Sequence, residues 1–156
     1  MGIWFKHALV SRQRLLVYHV SNWTNIISDS ENLEMKCCQI FGSGSDIAIG
    51  LATRLKDDGW HVRMNPGRAV PVIQGWWDLL LLMHGTLEPI GRFFDTYPQA
   101  WRDCIHINAL HPLSALRVAW PHRNPGATVV FISGPNMSLP SPTYTAYRAG
   151  KAILEA

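Results

Sequence analysis

A tyrosine and a lysine stand four residues apart near the end of the chain, in TAYRAGK (145–151). Residues four apart share one face of a helix, so Tyr147 and Lys151 can present a phenol and an ammonium group side by side. A phenol titrates near pH ~10, too high for a good base at neutral pH. A neighbouring cation stabilises the phenolate and lowers that value. Tyr147 then becomes a usable proton donor or acceptor for a carbonyl/alcohol pair. The competing reading is a solvated helix face, because a bare Y-x-x-x-K arises often by chance.

A second stretch with chemical promise is FGSGSDIAIG (41–50), between the apolar run KCCQIFG (36–42) and the amphipathic SDIAIGLATRLKDDG (45–59). Such a strand-to-helix turn is where a dinucleotide fold seats its pyrophosphate. Glycine lets backbone amides approach the phosphate oxygens, and the helix N-terminus supplies free N–H groups. Gly42, Gly44 and Gly50 are the relevant glycines, and Ala48 stands at a middle position where glycine would be expected. Asp46 would repel phosphate unless it turns away and caps the helix. A plain strand-to-helix turn is the alternative.

These residues need a scaffold. After the first strand (36–42) and helix (45–59), WHVRM (60–64) predicts a second strand, and residues 65–77, with two prolines and two glycines, a connection. DLLLLMHG (78–85) predicts a strand buried on both faces. Helical spacing runs through 96–120, with a kink expected at Pro112. ATVVFISG (127–134) is β-branched, and PTYTAYRAGKAILEA (142–156) opens with proline and then reads as a helix. Strands alternating with helices predict an α/β fold with a parallel sheet of right-handed βαβ units.

Composition narrows the field. The 156 residues suffice for one domain with a real core. Net charge is +3 without a basic run, which argues against a nucleic-acid partner. Three cysteines, Cys37, Cys38 and Cys104, make no disulfide framework, and no CxxC or HExxH motif points to a metal. A reducing, cytoplasmic setting is expected. The longest apolar run, DLLLLM (78–83), falls short of the ~20 residues of a membrane span. Residues 1–34 read as an N-terminal extension that need not be ordered, with a transit peptide as the alternative, ahead of a partial dinucleotide-binding domain at 35–156. His106 and His111, five apart, do not share a helical step suited to a common ligand. The tryptophan pair Trp76-Trp77 reads as packing.

Taken in order, these landmarks resemble the short-chain dehydrogenase/reductase family. INALHP (107–112) is similar to its N-x-x-x-P helix segment, with Asn108 at the matching place, and LLMHGTLEPIGRF (81–93) to its N-A-G strand end, with Gly85 matching the glycine. The resemblance covers roughly 35–156. It implies a Rossmann-like, doubly wound parallel sheet, incomplete at the C-terminus. It implies hydride transfer between NADP, or NAD, and a carbonyl or alcohol substrate, and the faces an incomplete sheet leaves uncovered invite a homo-oligomer. Tyr147 would be the acid/base, Lys151 would hold the nicotinamide ribose and tune the tyrosine, and Asn108 would position a proton-relay water. Gly42, Gly44, Ser45, Ala48, Ile49, Gly50 and Gly85 would bind the cofactor. After the second strand, Arg63 and Arg68 with no acid lean towards NADP.

The sequence also departs from that family. Its carbonyl-polarising serine falls thirteen residues before the tyrosine, which here is Gly134; Ser133, one place off, would serve if a loop differs by one residue. The segment 65–77 is short, leaving one strand missing or vestigial in AVPVI (69–73). The chain ends about one turn after Lys151, ahead of the family's substrate segment. The alternative function is therefore a non-catalytic remnant that binds a dinucleotide or pairs with another subunit.

Overall fold

The fold is described from a computed structural model, which defines residues 35–66, 72–134 and 141–156 in full and the backbone of 3–10 and 13–20. Four parallel strands form its centre: β3 (Cys37–Phe41), β4 (His61–Asn65), β5 (Trp77–Leu82) and β6 (Arg123–Ile132). A hairpin of β1 (Ile3–Val10) and β2 (Gln13–Val20) joins β6 antiparallel, so the sheet order is β1-β2-β6-β5-β3-β4. Part of the expected extension thus contributes strands to the sheet. Arg68 and residues 69–71 of the vestigial strand lie outside the described residues, and Val72–Gln74 form no strand.

Helices cover both faces. Alternation along β5 sends Leu81 and Met83 to one side and Leu80 and Leu82 to the other, as a strand buried twice over requires. The first side packs Cys38, Ile40, Val130 and Ile132 under α1 (Asp46–Asp57), which meets the sheet through Ala48 and Ala52. Small residues there let the helix approach closely. Ile47 and Ile49 are 39% and 50% exposed, because the contact follows the 48/51/52/55 stripe and they flank it. The second side packs Phe41, Leu80, Leu82, Val129 and Phe131 against α3 (His111–Ala119) and α4 (Thr145–Glu155). Buried Trp77 donates its indole N–H to the Ala119 carbonyl at 2.9 Å, tying off α3.

Between α2 (Pro98–Ile105) and α3 the expected kink takes the form of one π turn, His106–Leu110. The His111 N–H reaches back five residues to the His106 carbonyl. Pro112 has no N–H to offer the Asn108 carbonyl four residues earlier, so the regular ladder cannot pass this point. No helix among the described residues is long and apolar enough to cross a membrane.

Candidate active site

Leaving β3, the chain turns outward to β4, while β5 lies on the other side of β3. The strand order reverses here, and a crevice opens beyond the carboxyl ends of β3 and β5. Gly42 makes the turn at φ +70°, with its N–H and that of Ser43 donating to the Asn65 carbonyl at 3.1 and 3.4 Å. A Cβ at Gly42 would stand 2.8 Å from the His84 nitrogen, so glycine is required both by conformation and by the approach to β5. Gly44 has open space around it. Ser45 caps α1, its hydroxyl accepting from the Ala48 N–H at 3.2 Å. Asp46 sits in the first turn, where a carboxylate complements the helix dipole.

On the far wall stands α4. Lys151 is 1% exposed and donates to the His84 carbonyl at 2.9 Å. Its nitrogen lies 5.9 Å from the centre of the Tyr147 ring. A cavity of about 240 Å³ joins the two walls, lined by Ser45, Ile47, Met83, Gly85, Thr86, Leu87, Ile132, Tyr147 and Lys151. The structure thus brings Ser45, Gly85, Tyr147 and Lys151 together, with Gly42 and Gly44 in the turn just before Ser45. Gly50 and Ile49 lie further along α1 on its exposed surface. Arg63 is drawn to the Gln74 carbonyl, beneath Gly75.

Asn108, fully buried, supports this cavity from behind. Its Oδ1 accepts from the Thr86 N–H at 3.3 Å, and its Nδ2 donates to the Thr86 and Cys104 carbonyls at 2.8 and 2.9 Å. The side chain is thereby committed to fixing Thr86. Thr86 was missed in the sequence; its signal was its place directly after Gly85 at a strand end. Its hydroxyl accepts from the Glu88 N–H at 3.3 Å, which leaves its own proton to donate. Ser133 is not brought to the cavity: it is buried, and its hydroxyl donates to the Glu155 carboxylate on α4.

Electrostatics run against the sequence expectation for the tyrosine. Burial pushes the Tyr147 phenol above its ordinary value, and Cys104 adds to the rise. Burial lowers Lys151 to about 8, with Cys104 acting in the opposite sense. Desolvation outweighs the attraction between the pair because the lysine is turned onto the His84 carbonyl. Burial, then His111 and Lys151, lowers His84 to about 4. Its ring meets His111 edge-on at 6.0 Å, and its Nδ1 is buried without a hydrogen-bond partner among the described residues.

No protein-family model matches the sequence, and no curated protein matches it. Solved structures do match the fold. A small-chain dehydrogenase aligns over 78% of this chain and 72% of its own, with TM-score 0.67 and 16% identity. A short-chain dehydrogenase/reductase from Burkholderia multivorans, solved with bound NADP, aligns over 78% and 69%, with TM-score 0.66 and 14% identity. The ligand-free aldohexose dehydrogenase of Thermoplasma acidophilum aligns over 77% and 57%, with TM-score 0.64 and 22% identity. The chain has the short-chain dehydrogenase/reductase fold, the Rossmann-like α/β sheet that the landmarks in its sequence resemble.

Proposed function

We propose that the chain binds a nicotinamide dinucleotide, NADP or NAD, and interconverts a carbonyl and an alcohol. The observation that carries this reading is a cavity joining the capped N-terminus of α1, at Ser45, to Tyr147 and Lys151 across Gly85. The residues fit such a group: Gly42 and Gly44 leave the turn free of side chains, and α1 offers its first amides to a phosphate. When bound, the nicotinamide supplies or accepts the hydride.

The chain's own residues supply the proton and the geometry. With its phenol raised by burial, Tyr147 is protonated at neutral pH and so is in the form that can donate to a carbonyl oxygen. Lys151 is placed to bond a sugar hydroxyl where it now bonds the His84 carbonyl. Asn108 works through its grip on Thr86. The Asn108 carbonyl, which Pro112 cannot serve, is the acceptor proposed for a relay water. Thr86 replaces Ser133 in our assignment of the carbonyl-polarising hydroxyl, since it lines the cavity beside Tyr147.

Titration of NADPH fluorescence, followed by assay against a panel of carbonyl compounds, tests the proposal. Tyr147→Phe should retain binding and lose turnover by about 10²-fold or more. Thr86→Val should lower turnover while Ser133→Ala does not. Undiminished turnover in Tyr147→Phe removes the mechanism. The second reading, a binder without catalysis, draws support from Gly134 at the family's serine position and from Ser133 held by Glu155. It predicts NADPH binding with no turnover of any carbonyl by the unmodified chain.

A further inference from the structure

Lys151 is enclosed but uncompensated. The ion pair among the described residues is Arg54–Asp58 on α1, while Lys151 bonds the neutral His84 carbonyl and stands 5.9 Å from the centre of the Tyr147 ring. The titratable groups around it are Tyr147 on its own helix, Cys104 on α2 and His84 at the end of β5. The carboxylate one turn further along α4, Glu155, accepts from the Ser133 hydroxyl. Its nitrogen borders the cavity beside Gly85, where a Cβ would stand 3.4 Å from Asn108 Oδ1 and 3.6 Å from Nζ, in ordinary van der Waals contact. The neighbouring walls are the apolar side chains of Met83, Leu87 and Ile132.

We infer that Lys151 is a nucleophilic amine that condenses with small aldehydes entering this cavity over Gly85, forming an imine at Nζ. The neutral amine adds its electron pair to the aldehyde carbon, and the carbonyl pair moves to oxygen, which takes up a proton. The resulting carbinolamine loses water as nitrogen gives up its protons and forms the C=N bond. Tyr147, on the same wall, is the proton donor at hand for the departing hydroxyl. No oxidant or reductant takes part. The inference does not depend on the dinucleotide reading, because the reaction is read with no cofactor added.

Burial supplies the neutral amine. A lysine at about 8 carries on the order of a hundredfold more neutral form at pH 7 than one at the ordinary ~10.4. Nucleophilicity falls as basicity falls, and the cavity limits access, so we expect a net advantage of about tenfold.

The chain has four lysines, Lys6, Lys36, Lys56 and Lys151, which makes the test direct. The full chain is treated at pH 7.5 with benzaldehyde and sodium cyanoborohydride, which reduces any imine to a stable amine, and each lysine is quantified by mass spectrometry. Lys151 should be modified about tenfold faster than Lys36 and Lys56. In concentrated urea that advantage should vanish, since it comes from the fold. Equal labelling of all four in the folded chain, or none at Lys151, overturns the inference. Gly85→Ala should keep the melting temperature and slow Lys151 labelling severalfold. Unslowed labelling in a folded Gly85→Ala chain overturns the proposed route.

Discussion

Gly150→Ala sets two effects of known size against each other. Gly150 lies inside α4, where alanine is favoured over glycine by about 1 kcal/mol in a helix. But a Cβ at Gly150 would stand 2.7 Å from the Asn108 Cβ and 3.5 Å from the Ile105 Cα. The first contact is one that real Cβ atoms do not make, and Asn108 cannot swing aside without releasing Thr86 and the Cys104 carbonyl. Overpacking of this kind costs about 1–3 kcal/mol. The net expectation is a loss of about 1 kcal/mol, or roughly 3 °C in melting temperature for a domain of this size. Gly50→Ala is the matched control: it too lies within a helix, but nothing stands within 4 Å of the added carbon. There the propensity term acts alone and the chain should gain about 0.5–1 kcal/mol. Thermal melts followed by circular dichroism read both. If Gly150→Ala stabilises as Gly50→Ala does, α4 does not pack on the π turn. The placement of Tyr147 and Lys151 against Gly85 then fails with it.

Two further outcomes follow from the same geometry. Gly42→Ala meets a φ of +70° and a backbone atom at 2.8 Å, so it should cost more than about 3 kcal/mol and remove NADPH binding; a variant that melts and binds normally refutes the close turn against β5. His84, lowered to about 4 from 6.5, is neutral in the folded chain while the unfolded chain takes up a proton first, so its contribution is present above pH 6.5 and is lost as pH falls to 4. That acid limb amounts to at most ~3 kcal/mol. Urea midpoints at pH 7 and 4.5 should show it shrinking in His84→Gln, and an identical pH slope in both chains would mean that His84 is not held neutral.

Much of the scaffold was legible because its signals were local. Four consecutive leucines required a strand buried on both faces, and the amphipathic run marked a helix, although its cap is Ser45 where the sequence offered Asp46. Pro112 marked a break, although the sequence could not say that the ladder would take up the slack as a π turn. What spacing could not supply was the balance between burial and attraction. The step from Tyr147 to Lys151 fixes a shared helix face, but not how deeply that face is sunk. Once Lys151 is 1% exposed and turned to a backbone carbonyl, desolvation governs both groups and the phenol rises rather than falls.

The fate of Ser133 follows from strand parity once the faces of β6 are known. Side chains alternate along β6: Val130 and Ile132 face α1, while Val129 and Phe131 face α3 and α4. Ile132 lines the cavity, so the next residue must turn away from it, and Ser133 duly meets Glu155 of α4. Position 134, where the resemblance puts the serine, is glycine and offers no hydroxyl. A one-residue difference in the loop beyond cannot exchange the two, because the alternation is set upstream by the sheet register of β6 against β5. Among the described residues, the hydroxyls that line this cavity besides Tyr147 are those of Ser45, which caps α1, and Thr86. Thr86, at the end of β5 and clamped at both backbone atoms by Asn108, is the residue we assign.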